Sequence, residues 1–337
     1  MNSCVCTVGY FRKSSQVVNT ISDITGSVTG IAVLNDRMYV SYTTTTAAAA
    51  AAIPRDSTST CSQQIAVYCP VTYQFQQNLT CCCNACGNAL SDIRSCSCRG
   101  GIVHSCFMVD DEFVFGSQRS KAGLQNLVAC NINNCLYFVS AEVCRNDNRN
   151  DNVICKVALG QENRLSRLSV MRRDPHGLSI TNLQNVLVAF RDDSVLFEYS
   201  PDGRVVRNIS VSLRNKGIRP TQLVHAVQLS VDHIGVTHLG PTHQFLIIDS
   251  SGQLVQSYSG YLNEPQGIAV DQQGRIYVAD QGSNRILAMD PKTLSAHPLE
   301  LPADCKLQGP YSICFDTANN RLYIGESNGH RIFRCQL

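Results

Sequence analysis

A pattern of short apolar runs and turns recurs along this chain of 337 residues, and it restricts the fold more than any other feature. Its clearest copy, residues 264–290, reads EPQGIAVDQQGRIYVADQGSNRILAMD and holds the runs GIAV, IYVA and RILAM. Gln272, Gln273 and Gly274 separate the first two runs. Short runs rich in Val, Ile and Tyr and bounded by Gly, Asn and Asp are typical of antiparallel strands. The stretch therefore predicts three strands of one sheet.

Five further copies lie at residues 29–42, 125–143, 175–203, 224–252 and 310–335. The first-strand positions of all six copies are separated by 96, 51, 49, 41 and 45 residues in turn. A propeller blade takes about 40–50 residues, so the first interval corresponds to one blade plus an insertion. The repeat predicts an all-β, six-bladed β-propeller of four-stranded antiparallel blades, in one domain spanning 1–337. The aligned positions are Ile31, Leu127, Leu178, Val227, Ile268 and Ile313.

The last copy ends the chain one strand short of a complete blade. Residues 16–24, QVVNTISDI, read as a strand placed just before the first copy. We expect residues 17–21 to pair beside residues 332–335, so that an N-terminal strand closes the ring.

The best copy also resembles a known family. Its motifs P-x-G-I-A-V-D, G-x-I-Y-V-A-D and N-R-I, in residues 265–290, are similar to the NHL repeat, and residues 310–335 and 175–203 resemble it as well. The resemblance implies a six-bladed NHL propeller like those that end tripartite-motif proteins. It also implies a non-enzymatic scaffold that binds a protein partner, with a role in substrate recruitment in ubiquitin-ligase pathways.

Two segments interrupt the repeat. Residues 43–62 begin with TTTTAAAAAA and predict a low-complexity loop. Residues 79–123 form a Cys-rich insertion after blade 1, in which Cys83-x-x-Cys86 followed by Cys96 resembles the start of a zinc RING. His104 lies too far beyond Cys96 for that module. A zinc site needs four converging ligands, and Cys83, Cys86, Cys96 and Cys98 are the weak candidates. Local disulfides are a second alternative, and we favour a loosely ordered insertion with a hairpin at 106–116.

Composition excludes several classes of function. The net charge of +2 argues against a dominant nucleic-acid footprint. No apolar run reaches the ~18 residues of a membrane span, and the first 13 residues lack signal-peptide features. We therefore expect a cytoplasmic, monomeric protein without a cofactor. Of its 18 cysteines, Cys130, Cys155, Cys314 and Cys335 fall in predicted strands, where free thiols pack as small hydrophobes.

The predicted binding site is the mouth of the central channel, where the first strands begin. His176 and His225, on adjacent blades, suggest a metal site, since zinc-dependent amidating lyases and calcium-dependent lactonases use similar propellers. A catalytic zinc needs three protein ligands, and the aligned positions supply two histidines. We therefore favour a polar lining and keep a metal-dependent lyase or lactonase as an alternative. The predicted mouth residues are Thr29, Gln125, His176, His225, Gln266 and Tyr311.

Four acidic residues have structural interpretations. Asp271 and Asp316 are expected to cap their own hairpin turns. Asp280 and Glu326 are expected to pair with the arginines that begin the next strand and to satisfy the loop backbone.

A basic patch on the mouth face supports a second alternative, the binding of single-stranded RNA. Such binding uses cations along the phosphate backbone and stacked aromatics. Here the cations are interspersed with acidic residues and aromatics are few, so the RNA hypothesis ranks below protein binding. The patch consists of Arg172, Arg173, Arg214, Lys216 and Arg219.

Overall fold

The computed structural model describes residues 16–21, 26–35, 37–44, 63–68, 75–79, 96–98, 101–103, 125–143, 150–159, 164–171, 175–191, 193–213, 222–240, 242–303, 305–328 and 331–337. Its elements are strands and one short 3₁₀ helix, Gln281–Ser283. Most of the predicted loop 43–62 and of the Cys-rich insertion 79–123 lies outside these residues. Within the insertion, β6 (Cys96–Cys98) pairs with β7 (Gly101–Val103).

Five four-stranded antiparallel sheets, blades 1 to 5, each consist of strands consecutive in sequence. Blade 1 contains β2 (Gly26–Leu34), β3 (Arg37–Thr44), β4 (Gln63–Tyr68) and β5 (Phe75–Leu79). Blade 2 contains β8 (Gln125–Cys130), β9 (Cys135–Val143), β10 (Asn150–Ala158) and β11 (Arg164–Met171). Blade 3 contains β12 (Pro175–Ile180), β13 (Val186–Phe190), β14 (Val195–Tyr199) and β15 (Val205–Ser210). Blade 4 contains β16 (Leu223–Gln228), β17 (His233–His238), β18 (Gln244–Asp249) and β19 (Leu254–Ser257). Blade 5 contains β20 (Pro265–Val270), β21 (Ile276–Asp280), β22 (Arg285–Met289) and β23 (Ala296–Pro298).

A further four-stranded sheet, the closing sheet, combines both ends of the described chain. It contains β24 (Pro310–Asp316), β25 (Arg321–Glu326), β26 (Ile332–Gln336) and β1 (Gln16–Ile21). β1 pairs antiparallel with β26, and the partners include Val17 with Cys335 and Ile21 with Ile332. The chain is thus an all-β propeller with four-stranded antiparallel blades, as the repeat predicts.

The first strands of the sheets form the inner ring. β2, β8, β12, β16, β20 and β24 follow one another around it, and β24 lies against β2 again. The core is divided into six apolar clusters, each between two adjacent sheets. A buried tyrosine recurs on the second strand, at Tyr39, Tyr137, Tyr277 and Tyr323. These rings fill the space between sheets, so each sheet is stabilised by its neighbours.

Candidate binding face at the channel mouth

Each inner strand carries a β-bulge close to its first residue. The register skips Thr29 in blade 1, His176 in blade 3, Val224 in blade 4 and Tyr311 in the closing sheet. In blade 5 the skip includes Gln266. A bulge leaves one residue unpaired and turns its side chain away from the regular pleat. The repeated bulge therefore sets a ring of side chains at one end of the inner strands.

Two of these side chains meet across the channel. His176 is on β12 and Tyr311 is on β24, which stand three places apart in the inner ring of six strands. Their ring centroids are 6.2 Å apart, and the Tyr311 hydroxyl is 3.4 Å from His176 Nε2. Strands on opposite sides of the ring can be joined only through the channel. The pair therefore forms a plug at its mouth.

His176 is held neutral by its surroundings. Burial, and then the nearby Arg191 cation, lower the pKa of His176 to about 4. Its Nδ1 lies 3.1 Å from the Val224 carbonyl oxygen, which can only accept a hydrogen bond. Nδ1 therefore carries the proton, and Nε2 accepts from the Tyr311 hydroxyl. Both nitrogens of this imidazole are engaged within the plug.

His225 is not the residue that the register skips in blade 4, although the repeat alignment places it there. The bulge in β16 comes one residue earlier, since Leu223 pairs with His238 and His225 with Thr237. Val224 takes the mouth position instead. His225 corresponds to Gly177 of blade 3, where an added Cβ would lie 2.3 Å from the Val224 oxygen.

The imidazole of His225 instead links three inner strands. Its Nε2 is 2.9 Å from the Leu178 carbonyl oxygen, and the backbone N–H of Ile268 donates to Nδ1 at 3.0 Å. The proton therefore resides on Nε2, and burial lowers the pKa of His225. The ring of His225 therefore connects the inner strands of blades 3, 4 and 5, and both of its nitrogens are engaged in hydrogen bonds.

In blade 2 the bulge comes one residue later than the repeat alignment places it, so Gln125 is not at the bulge. It pairs with Val139, and the register resumes with Val128 and Tyr137, so the bulge follows Gln125. Asn126 adopts a left-handed conformation there, with φ of 53°. Asn126 therefore has the mouth position of blade 2 that the alignment assigned to Gln125.

Polar groups complete the mouth. Thr29 shares a hydrogen bond of 3.1 Å with Ser41, and the Thr237 hydroxyl donates to the Gln266 carbonyl at 2.8 Å. Two of the buried polar atoms that have no hydrogen-bond partner among the described residues, Gln266 Oε1 and Asn126 Nδ2, belong to residues at the mouth. Such unsatisfied amide atoms are costly in a closed core. The mouth therefore retains hydrogen-bonding capacity beside the plug.

Two buried carboxylates build the rim of the same face, as predicted. Asp280 Oδ2 accepts from Arg285 at 2.7 Å, while Asp280 Oδ1 accepts from the backbone N–H of Asn263. Glu326 repeats this arrangement with Arg331 at 2.8 Å and the backbone of Gln308. Each charge-assisted pair ties the loop that enters an inner strand to the loop between second and third strands. The rim is consequently rigid.

Tyr261 is a rim residue that sequence reasoning missed. It lies in the loop between blades 4 and 5, and it is 73% exposed. Its carbonyl accepts from Arg285 at 2.9 Å, which fixes the backbone that carries the ring. An aromatic residue between two repeat units is a signal that could have identified it.

The turn-side carboxylates cap their hairpins, as expected. Asp271 Oδ1 accepts from the backbone N–H groups of Gln273 and Arg275, both at 2.9 Å. Asp316 Oδ1 accepts in the same way from Ala318 and Asn319. These acceptors are used by the turns.

Cysteine and basic candidates fall partly outside the described chain. Cys130, Cys314 and Cys335 are free thiols packed in strands and Cys155 is buried in β10, which confirms that these cysteines pack as small hydrophobes. No group of three or more His, Cys, Asp or Glu that could hold a metal occurs among the described residues. Of the four weak zinc candidates, Cys96 and Cys98 lie in β6, while Cys83 and Cys86 lie outside the described residues. The whole basic patch also lies outside the described residues: Arg172, Arg173, Arg214, Lys216 and Arg219.

Comparisons with known proteins agree with the repeat. A model of the NHL repeat matches residues 262–288. "Protein brain tumor" of Drosophila melanogaster is 27% identical over 122 residues, which are 35% of this chain and 11% of that protein. The chain is a β-propeller that contains an NHL repeat at residues 262–288. Its matched segment spans only about a tenth of the length of that relative.

Solved structures share the fold of this NHL propeller at low identity. A PQQ-bound aldose sugar dehydrogenase from Streptomyces coelicolor has a TM-score of 0.61 at 11% identity, covering 96% of this chain and 98% of that one. Virginiamycin B lyase from Staphylococcus aureus has a TM-score of 0.54 at 9% identity, covering 95% of this chain and 98% of that one. The WD40 propeller domain of Doa1 has a TM-score of 0.53 at 10% identity, covering 96% of each chain. Identities this low establish the fold alone. Within the described ranges of the NHL propeller, no helix has the length and hydropathy of a bilayer span.

Proposed function

We propose that this NHL propeller is a non-enzymatic interaction scaffold that binds a partner protein on the face around the channel mouth. The arrangement of side chains on that face supports the proposal. His176 and Tyr311 fill the centre, and His225 is committed to backbone groups of neighbouring blades. The surface that remains for recognition is the rim rather than a deep, open cleft.

Tyr261 is the expected anchor on the rim. Tyrosine and arginine are enriched among the residues that dominate the energy of protein interfaces. Because the carbonyl of Tyr261 is held by Arg285, the loop loses little conformational freedom when a partner packs on it. By the resemblance to tripartite-motif proteins, the partner would be a substrate recruited to a ubiquitin ligase.

Single-stranded RNA is the second candidate for this face. Arg191 is exposed and its positive charge acts on His176 at the mouth. A cation in that place could contact a phosphate. A metal-dependent lyase or lactonase is less well supported, because both ring nitrogens of His225 are already engaged.

The test compares wild-type protein with Tyr261→Ala and with Val206→Ala, an exposed residue of β15 away from the mouth. Partners captured by each protein are quantified by mass spectrometry, and the selected partner is purified for calorimetry. We expect Tyr261→Ala to weaken the partner's Kd about tenfold or more, and Val206→Ala to leave it unchanged.

Fluorescence anisotropy with a labelled single-stranded RNA pool, from 50 to 200 mM salt, separates the two candidates. Tight RNA binding that falls steeply with salt would favour the RNA hypothesis. If no purified partner responds to Tyr261→Ala, the mouth face is not the protein-binding surface.

A further inference from the structure

Two cysteines face each other across the hairpin that joins the first and second strands of blade 2. Cys130 ends β8, Cys135 begins β9, and the two residues are direct partners in the antiparallel register. Both are free thiols, and both are buried. Directly opposed residues have side chains on the same face of the sheet and Cα atoms about 4.5–5.5 Å apart. A disulfide joins cysteines with Cα atoms about 4.4–6.8 Å apart, so the pair is within bonding reach.

The equivalent hairpins show that side chains at these two positions touch. In the closing sheet the corresponding register partners are Asp316 and Arg321, which also lie five positions apart. In blade 5 the residues that close the hairpin are Asp271 and Arg275, and their side chains form an ion pair. Blade 2 therefore has two thiols where these repeats have an acid beside a base.

The position of Cys130 accommodates an anion in the equivalent hairpin. Asn133 Nδ2 donates to Cys130 Sγ at 3.3 Å, just as Asn319 Nδ2 donates to the Asp316 carboxylate at 2.8 Å. The attacking species in thiol–disulfide exchange is a thiolate, which is also an anion. The hairpin of blade 2 thus offers its first cysteine the amide donor that serves a carboxylate in the closing sheet.

The two thiols are suited to different steps of a reaction. The groups that hydrogen-bond to Cys130 Sγ are the amides of Asn133 and Gln184, which belong to the turns at residues 131–134 and 181–185. A small reagent reaches Cys130 when these two side chains move aside. Burial raises the pKa of the Cys135 thiol, so this thiol is the poorer first nucleophile.

We propose that Cys130 and Cys135 are a redox-active dithiol, which a low-molecular-weight disulfide oxidises to an intrachain disulfide. The Cys130 thiolate attacks one sulfur of the small disulfide, whose S–S bond breaks, and one small thiolate leaves. The Cys135 thiolate then attacks Cys130 Sγ and displaces the second small thiolate. The chain loses two electrons and two protons, and the small disulfide takes them up to become two thiols.

Oxidation changes a contact between two blades. In the dithiol state the Cys130 S–H donates to Gln184 Oε1 at 3.2 Å, which joins the turn of blade 2 to that of blade 3. A disulfide sulfur has no proton to donate, so this link is lost on oxidation. The pair lies at the opposite end of the inner strands from the bulges, and its reaction does not depend on the function proposed for the mouth.

The test equilibrates the complete chain with mixtures of reduced and oxidised glutathione. Samples are quenched in acid, alkylated in denaturant and mapped by tandem mass spectrometry, which is needed because Cys144 shares a tryptic peptide with the pair. We expect a Cys130–Cys135 disulfide whose yield rises with the fraction of oxidised glutathione. Cys314 is the matched control, since the residue opposite it is Tyr323, and it should remain a thiol.

Two serine variants separate the roles of the cysteines. Cys135→Ser cannot close the disulfide, so glutathione should accumulate on Cys130 to a level about tenfold or more above wild type. Cys130→Ser should leave Cys135 without glutathione. Amide hydrogen exchange of residues 181–185 should be faster in the oxidised wild-type protein than in the reduced one, while residues 271–275 should not change.

Each of the other results overturns the proposal. Two thiols that are fully alkylated at every glutathione ratio would show that the pair only packs. A bond from either cysteine to a third one, or equal glutathione on Cys135 and Cys130 in the two variants, would contradict the arrangement of the hairpin. Unchanged exchange at residues 181–185 after the disulfide has formed would refute the loss of the link between the blades.

Discussion

The plug at the mouth makes the stability of the propeller depend on pH through His176. The pKa of His176 is lowered from 6.5 to about 4, so the folded protein keeps this imidazole neutral while the unfolded chain is protonated below pH 6.5. The stability due to neutral His176 is therefore complete above pH 6.5 and is lost as the pH falls towards 4. At about 1.4 kcal/mol per pKa unit, the full loss is about 3 kcal/mol. Between pH 7 and pH 5 it is about 2 kcal/mol.

The measurement is urea unfolding at pH 7 and pH 5, followed by far-UV circular dichroism because the chain has no tryptophan. Burial lowers the pKa of His225 as well, and this adds a loss of the same sign. His176→Gln should remove the part due to His176 and leave the rest, while His297→Gln, at an exposed site, should behave as wild type. If His176→Gln loses as much stability as wild type between the two pH values, the reasoning about the plug is refuted.

Two further substitutions and one chemical modification test other contacts in the propeller. Asp280→Asn removes the charge that faces Arg285 and should cost about 2–3 kcal/mol of unfolding free energy, measured by thermal denaturation; an unchanged midpoint would contradict the structural role of the pair. Gly177→Ala places a Cβ 2.3 Å from the Val224 carbonyl oxygen and should cost about 2 kcal/mol by overpacking, whereas a neutral effect would mean that blades 3 and 4 separate easily. Burial raises the pKa of the Cys335 thiol to about 12, so Ellman's reagent should modify it only after denaturation, as peptide mapping would show.

The fold was predictable from the sequence because each blade repeats one hydrophobic pattern. The period-two runs identify strands, and their spacing identifies the blade. The bulges were harder to place, because one inserted residue leaves the apolar pattern of a short strand almost unchanged. At His176 and Tyr311, alignment of the repeats to Gln266 identifies the residue that is skipped at the bulge in the structure. It misses by one residue at Gln125 and at His225.

The repeat alignment misplaced the bulge of blade 4 by one residue because the hydrophobic pattern does not show which residue of an inner strand is skipped. Gly177 marks the position of close approach between blades 3 and 4, whereas the corresponding residue of blade 4 is a histidine. The imidazole of His225 fits there because it donates a hydrogen bond to the Leu178 carbonyl oxygen and accepts one from the Ile268 N–H. Such contacts join residues more than 40 positions apart, and periodicity within one repeat carries no information about them.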